Sequence, residues 1–253
     1  MTRFADWCTE VTVACASPHT HRMLTADPQK VADAVDFIAG VIPDHYAEPD
    51  RLSDIFSRLG RPGVAKYIDT KMPLSLQTRS GDLGEVLCTT YVHECSPFKR
   101  GIKRLRWKDH RNLAMRGDDV LGFKIDASTG RLTVLKAESK SAAKLSKTTV
   151  DQARTGLSNF GELPSPHALV FVSDLLTDPN DQDLKNALDD LLVQPLTPAD
   201  VTHLLFVLTG NDSTNLLKNN LSSYTGACRQ VYVGVRVHEH QEFIDAVFSL
   251  VGL

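Results

Sequence analysis

No run of apolar residues in this chain approaches the roughly 18 needed to cross a bilayer, so the sequence predicts no membrane-spanning helix. Cysteine is sparse and odd in number, five residues without regular spacing. No apolar leader core opens the chain, and together these features point to reduced thiols in a cytoplasmic protein rather than to a disulfide framework. A glycine-rich phosphate loop and a dinucleotide fingerprint are both missing, which argues against ATP hydrolysis by the chain itself. Positive charge is not in excess either: 28 Lys and Arg against 31 Asp and Glu leave a net charge of -3. Any contact with nucleic acid must then come from a local basic patch.

What is present is ordinary for a folded protein. Of the 253 residues, 42% are hydrophobic and 23% charged, enough for one large core or two small ones. Val31, Ala34, Val35, Ile38 and Ala39 recur at helical spacing, which predicts a helix over 27–40 that stops at Gly40. A short helix over 52–59 is expected to end at Gly60, Pro62 and Gly63, and a third to begin near Ser80 or Asp82 and to contain Glu85. The first 75 residues therefore read as mostly helical. Two apolar runs, 120–125 and 132–135, flank Asp126-Ala-Ser-Thr-Gly130 and read as a hairpin. Beyond it the pattern predicts a helix over 149–160, strands at 168–172, 203–208 and 231–237, and a closing helix over 241–251. Strands alternating with helices imply an α/β fold, a mixed central sheet flanked by helices.

The hairpin brings chemistry with it. A turn centred on Ser128 and Thr129 makes Asp119 face Glu138, and opposed residues on one sheet face bring their Cβ atoms to within roughly 5 Å. Alternation puts Lys140 on the same face as Glu138. Asp118 would oppose Ser139 and point the other way, although a register slip of one residue would exchange the two aspartates. Paired carboxylates need a counter-charge, and a hard cation such as Mg2+ accepts their oxygens while keeping water. Glu85 could add a third carboxylate, and Lys140 could orient or deprotonate the water or stabilise charge on a phosphate.

Gly84-Glu85 on a helix, Asp119 at a strand start and Glu138-Ser-Lys140 on the next strand resemble the PD-(D/E)xK nucleases, without the proline before the aspartate. The resemblance implies a restriction-endonuclease-like core and Mg2+- or Mn2+-dependent hydrolysis of DNA. Glu85, Asp119 and Glu138 would be the metal ligands, and Lys140 would join them in catalysis. Asp151-Gln152 resembles the glutamine that many such nucleases keep beside the site. Over about residues 80–250 the combination of Gly84-Glu85, Arg116-Gly-Asp-Asp-Val-Leu-Gly-Phe123 and Val134-Leu-Lys-Ala-Glu-Ser-Lys140 is similar to the HamA family, the nuclease subunits of the Hachiman anti-phage defence system. That likeness implies a superfamily 2 helicase partner, HamB, which restrains the nuclease until abnormal DNA is sensed. On this reading 76–253 is the nuclease domain, and 1–75 is a regulatory or partner-docking region.

Other features admit two readings. Lys99, Arg100, Lys103, Arg104, Arg106, Lys108 and Arg111 surround Trp107 and could grip phosphates while the indole stacks on a base, or could form a solvated or partner-binding face. Lys136, Lys140, Lys144 and Lys147 form a second basic group beside the proposed site. Cys88, His93 and Cys95 match no common zinc spacing, and His238-Glu-His240 reads as a polar helix start. Two further function classes compete: a DNA-binding or scaffolding subunit with a decayed site, and a glycosidase with paired carboxylates, in which Lys140 would have no role.

Overall fold

The computed structural model describes residues 3–113, 115 and 117–251, without the side chain of Arg100. In chain order the elements are α1 (Phe4–Trp7), β1 (Cys8–Val13), β2 (Thr20–Ala26), α2 (Val31–Tyr46), α3 (Pro49–Lys71), α4 (Leu76–Cys95), β3 (Lys99–Arg100), β4 (Val120–Ile125), β5 (Leu132–Ala142), α5 (Lys147–Ser158), α6 (Pro166–Leu175), α7 (Gln182–Asp190), β6 (Val201–Thr209), α8 (Thr214–Ser222), β7 (Arg229–Arg236) and α9 (His240–Leu250). The strands form one seven-stranded mixed sheet in the order β1-β2-β7-β6-β5-β4-β3. Its centre, β5, β6 and β7, is parallel. That arrangement buries both faces, and β6 accordingly reads as an almost unbroken apolar run.

Helices cover both sides, as the strand and helix alternation predicts. On one face α2, α4 and α9 share a core with Phe206, Val233 and Val235; on the other, α5 and α8 close over Leu205, Val207 and Tyr232. A smaller cluster packs α6 and α7 against β4 and the start of β5. The hairpin has the expected register, with Val120 opposite Ala137 and Ile125 opposite Leu132. The Asp126 carboxylate accepts the amides of Ser128 and Thr129 and so fixes the turn.

Several local expectations fail, each for a physical reason. The N-terminal region is mainly helical, yet its first 30 residues also supply β1 and β2, and β2 pairs in parallel with β7. β1 is a sheet edge with most of its side chains in solvent, so it carries no apolar alternation to read. Helix α2 runs through Gly40 to Tyr46 because its buried stripe continues through Ile42 and Tyr46; that burial outweighs a glycine penalty of about 1 kcal/mol. The helix predicted at 52–59 bends at Gly60 (φ 66°) instead of ending there, and α3 resumes to Lys71. Helix α4 starts four residues before Ser80, at Leu76, because the Ser75 hydroxyl accepts the Thr78 amide at 3.1 Å and forms the cap.

The segment 168–172 is helical rather than extended. Ser165 caps the amide of Ala168 and Pro166 occupies the first turn of α6, and a five-residue apolar run does not by itself distinguish strand from helix. Among the described residues no helix is long and apolar enough to cross a membrane.

Candidate active site

Asp119 sits where the chain enters β4, one step beyond the Val120–Ala137 pair, and so it continues the ladder toward Glu138. Its Oδ2 accepts the Ser139 amide at 2.9 Å, which ties the start of β4 to β5. Glu138 and Lys140 share the face of β5 that α5 covers, and Lys140 Nζ donates to Glu138 Oε1 at 2.6 Å. Glu138 lies directly beneath Gly156 of α5: a Cβ on that glycine would stand 2.8 Å from the Glu138 carboxyl carbon. Only a residue without a side chain lets the helix and the carboxylate occupy this space.

Glu85 approaches from the opposite face. Helix α4 packs on β5 through Gly84, where an added Cβ would meet Ser139 Oγ at 3.0 Å. This close approach brings the next residue, Glu85, to the end of β4. What joins the two faces is Arg104, in a short turn of tight helix, Arg104–Trp107. Its Nε and Nη2 donate to the two oxygens of Glu85, both at 2.9 Å, and Nη2 also donates to Asp119 Oδ1 at 2.6 Å. Glu85, Asp119, Glu138 and Lys140 thus come together, with Arg104 as the counter-charge between two of the carboxylates.

Burial gives these carboxylates unusual acidity. The Glu85 side chain is only 10% exposed; desolvation pushes its pKa up to about 7, against the pull of Arg104. Glu138 is also pushed up to about 7, by burial first and by the charge of Asp119 second, while Lys140 and Arg104 oppose the shift. Two buried acids that resist ionisation mark a place where positive charge is in demand. Among the described residues, however, no three His, Cys, Asp or Glu side chains stand ready to hold a metal ion. The oxygen donors suit a hard divalent cation, but the Arg104 guanidinium lies between Glu85 and Asp119.

Asp118 does not turn to the opposite face as expected: it lines the same cleft as Asp119 and Glu138, but its carboxylate is engaged by other partners. Its Oδ2 accepts the Ser165 amide at 2.9 Å and its Oδ1 lies 3.5 Å from Lys136 Nζ. Lys136 itself corrects the reading of a second basic group. It is 1% exposed, and its ammonium donates to the carbonyls of Leu157, Asn159 and Leu163 at 3.1, 3.0 and 2.9 Å. Lys144 and Lys147 are exposed. Gln152 is exposed and does not line the cleft beside the carboxylates.

The basic run is corrected in the same way. Lys103 and Arg106 engage Asp44, Arg106 also reaches Glu48, Lys108 donates to both oxygens of Asp82, and Arg111 donates to the Asp69 carbonyl. The run therefore clamps α2, α3 and α4 around the site and offers few of its charges to phosphate. Arg116 and the side chain of Arg100 lie outside the described residues.

Trp107 lines a cleft of about 750 Å³ whose walls include Arg104, Asp119, Glu138, Phe160, His167 and Phe171. His240, at the start of α9, is buried and its Nε2 pairs with Ser141 Oγ at 2.9 Å. Sequence reasoning placed Arg104 in the basic run but missed its bridge, and it missed Gly156 altogether. No local signal marks either, because each role depends on a partner 15 or more residues away.

Comparison with known proteins supplies the family. The chain is 23% identical over 252 residues to the Hachiman protein HamA of Bacillus cereus, and the match covers 97% of this chain and 89% of that protein. A family model described as HamA matches residues 2–251, nearly the whole length, and the chain belongs to the HamA family.

Proposed function

We propose that this chain is the nuclease effector of a Hachiman anti-phage defence complex, a divalent-cation-dependent enzyme that hydrolyses phosphodiester bonds in DNA under control of a HamB-type helicase partner. The observation that carries the proposal is the convergence of Glu85, Asp119, Glu138 and Lys140 at one end of the β4–β5 hairpin, in the chain order shared by PD-(D/E)xK nucleases. Asp119 and Glu138, supported by Glu85, would hold Mg2+ or Mn2+, which when bound supplies Lewis acidity and a water of lowered pKa.

The chain's own residues do the rest. Lys140, held 2.6 Å from Glu138, is placed to orient the attacking water and to balance charge that develops on the phosphate. Arg104 keeps Glu85 and Asp119 apart and neutralised until it yields one of them, after which its guanidinium can pair with a phosphate oxygen. The Ser139 amide fixes the orientation of Asp119. Gly156 and the surrounding helix exclude water from one side of Glu138.

One observation favours a second reading, a DNA-binding or scaffolding subunit without catalysis: the Arg104 bridge already satisfies two of the three carboxylates. Plasmid cleavage by the purified chain, with and without its helicase, in Mg2+ and in EDTA, separates the two. The nuclease reading expects cation-dependent cutting that Glu138→Ala or Lys140→Ala abolishes. Cutting of wild-type strength by both variants would sink the assignment of these residues, and no cutting in any arm would select the binding subunit.

A further inference from the structure

The loop that follows α5 holds an unusual backbone. Phe160, Gly161 and Glu162 have φ values of 57°, 65° and 70°, three successive left-handed residues of which two carry side chains. Such backbone persists only where the surroundings impose it. Here the imposing group is Lys136, whose buried ammonium gathers the carbonyls of Leu157, Asn159 and Leu163 at 2.9 to 3.1 Å. The Glu162 carbonyl is held as well, 2.8 Å from His203 Nε2. A buried lysine and a buried histidine are thus committed to the shape of one short loop.

That shape holds an aromatic ring in solvent. Phe160 is 60% exposed, and it lines the same 750 Å³ cleft as Asp119 and Glu138. Trp107 and Phe171 line the cleft too, packed edge to face with centroids 6.0 Å apart. Core packing does not account for a phenyl ring presented on strained, clamped backbone. A flat, apolar ligand face accounts for it directly.

We propose that this cleft receives an unpaired nucleobase of the DNA strand whose phosphate lies at the carboxylates, stacked on Phe160 and Trp107. The proposal deepens the nuclease reading and rests on it for the identity of the polymer. The cleft volume suits a base with its sugar, and the cleft is continuous with Asp119 and Glu138 in its wall. Inside a duplex both faces of a base are covered by its neighbours, so only a single-stranded or frayed strand can insert one. The substrate class that follows is DNA with unpaired nucleotides, such as a strand opened by a helicase.

The test uses the full chain in EDTA with a single-stranded oligonucleotide that carries 2-aminopurine, and with the same strand in a blunt duplex. Wild-type protein should quench the probe in the single strand and prefer that strand to the duplex. Phe160→Ala should reduce this preference about tenfold and relieve the quenching, the range expected for loss of one stacked base, while Phe160→Tyr restores both. Absence of quenching by wild-type protein, an unchanged preference in Phe160→Ala, or equal loss of binding to strand and duplex would overturn the cleft. Glu138→Gln separates this result from the parent reading: intact cleavage in that variant removes the catalytic assignment without touching the stacking result, and abolished cleavage with unaltered Phe160→Ala binding does the reverse.

Discussion

Gly156→Ala separates stability from function at a single position. In the last turn of α5 the substitution should gain up to about 1 kcal/mol of helix propensity. The new Cβ, however, would stand 2.8 to 2.9 Å from all three atoms of the Glu138 carboxylate. Ordinary contact begins near 3.5 Å, so the carboxylate must retreat by roughly 0.7 Å, which strains its contact with Lys140. An off-rotamer side chain costs about 1 kcal/mol, and the two effects should leave stability within about 1 kcal/mol of wild type. If Glu138 has the catalytic role proposed for it, cleavage should fall far more, on the order of 100-fold, because a reacting group displaced by close to 1 Å loses its alignment. In a Glu138→Ala background the collision is gone and the alanine should stabilise outright by up to about 1 kcal/mol. Urea denaturation of the four proteins gives the coupling, and DNA cleavage by the two with Glu138 gives the functional loss. Equal stabilisation in both backgrounds, or undiminished cleavage by Gly156→Ala, would refute the packing argument.

Two further outcomes follow from the same cluster. Burial pushes Glu85 and Glu138 up to about 7 in the folded state, against 4.5 for an exposed glutamate in the unfolded chain; the folded state therefore binds the extra protons. Their stabilising contribution is complete below about pH 4.5 and is lost as pH rises toward and through 7. Buried His21 and His203, lowered to about 4, act in the opposite sense, so the test is the difference between thermal melts in EDTA of wild type and of Glu85→Gln/Glu138→Gln: the wild-type midpoint should fall relative to the variant across this window, added Mg2+ should oppose the fall, and parallel profiles would contradict the burial of these acids. Arg104→Met leaves Glu85 and Asp119 without their shared counter-charge and should cost about 3–5 kcal/mol in EDTA, with partial recovery in Mg2+. Unchanged stability in chemical denaturation would show that the bridge contributes nothing.

The sheet was legible wherever a strand carried its own signal. The hairpin declared its register because Asp126 and Gly130 mark the turn, and a fixed turn dictates every opposed pair; the placement of Asp119 against β5 followed from that alone. Strands β6 and β7 were legible as apolar runs because they are buried on both faces. β1 was not, because an edge strand with solvent on most of its side chains has no pattern to display. At 168–172 composition pointed to strand, whereas Ser165 and Pro166 at the start of α6 were the deciding residues.

The site shows where residue type stops predicting role. Seven basic residues within 99–111 look alike in sequence, and a surface that grips phosphate is the simplest reading of such a run. The structure gives four of them acidic partners contributed by residues 44–119, so that Asp44, Glu48, Asp82, Glu85 and Asp119 consume the charge. A net charge of -3 already contained the warning, since acids that outnumber bases must find them somewhere. The same accounting explains Lys136: on β5 it shares a face with Glu138 and Lys140, yet it is the one sealed under the loop after α5, where three carbonyls replace water. Its burial fixes Phe160 at the rim of the cleft that Glu138 lines, so one strand carries both the carboxylate proposed to be catalytic and the support for the ring proposed to hold the substrate beside it.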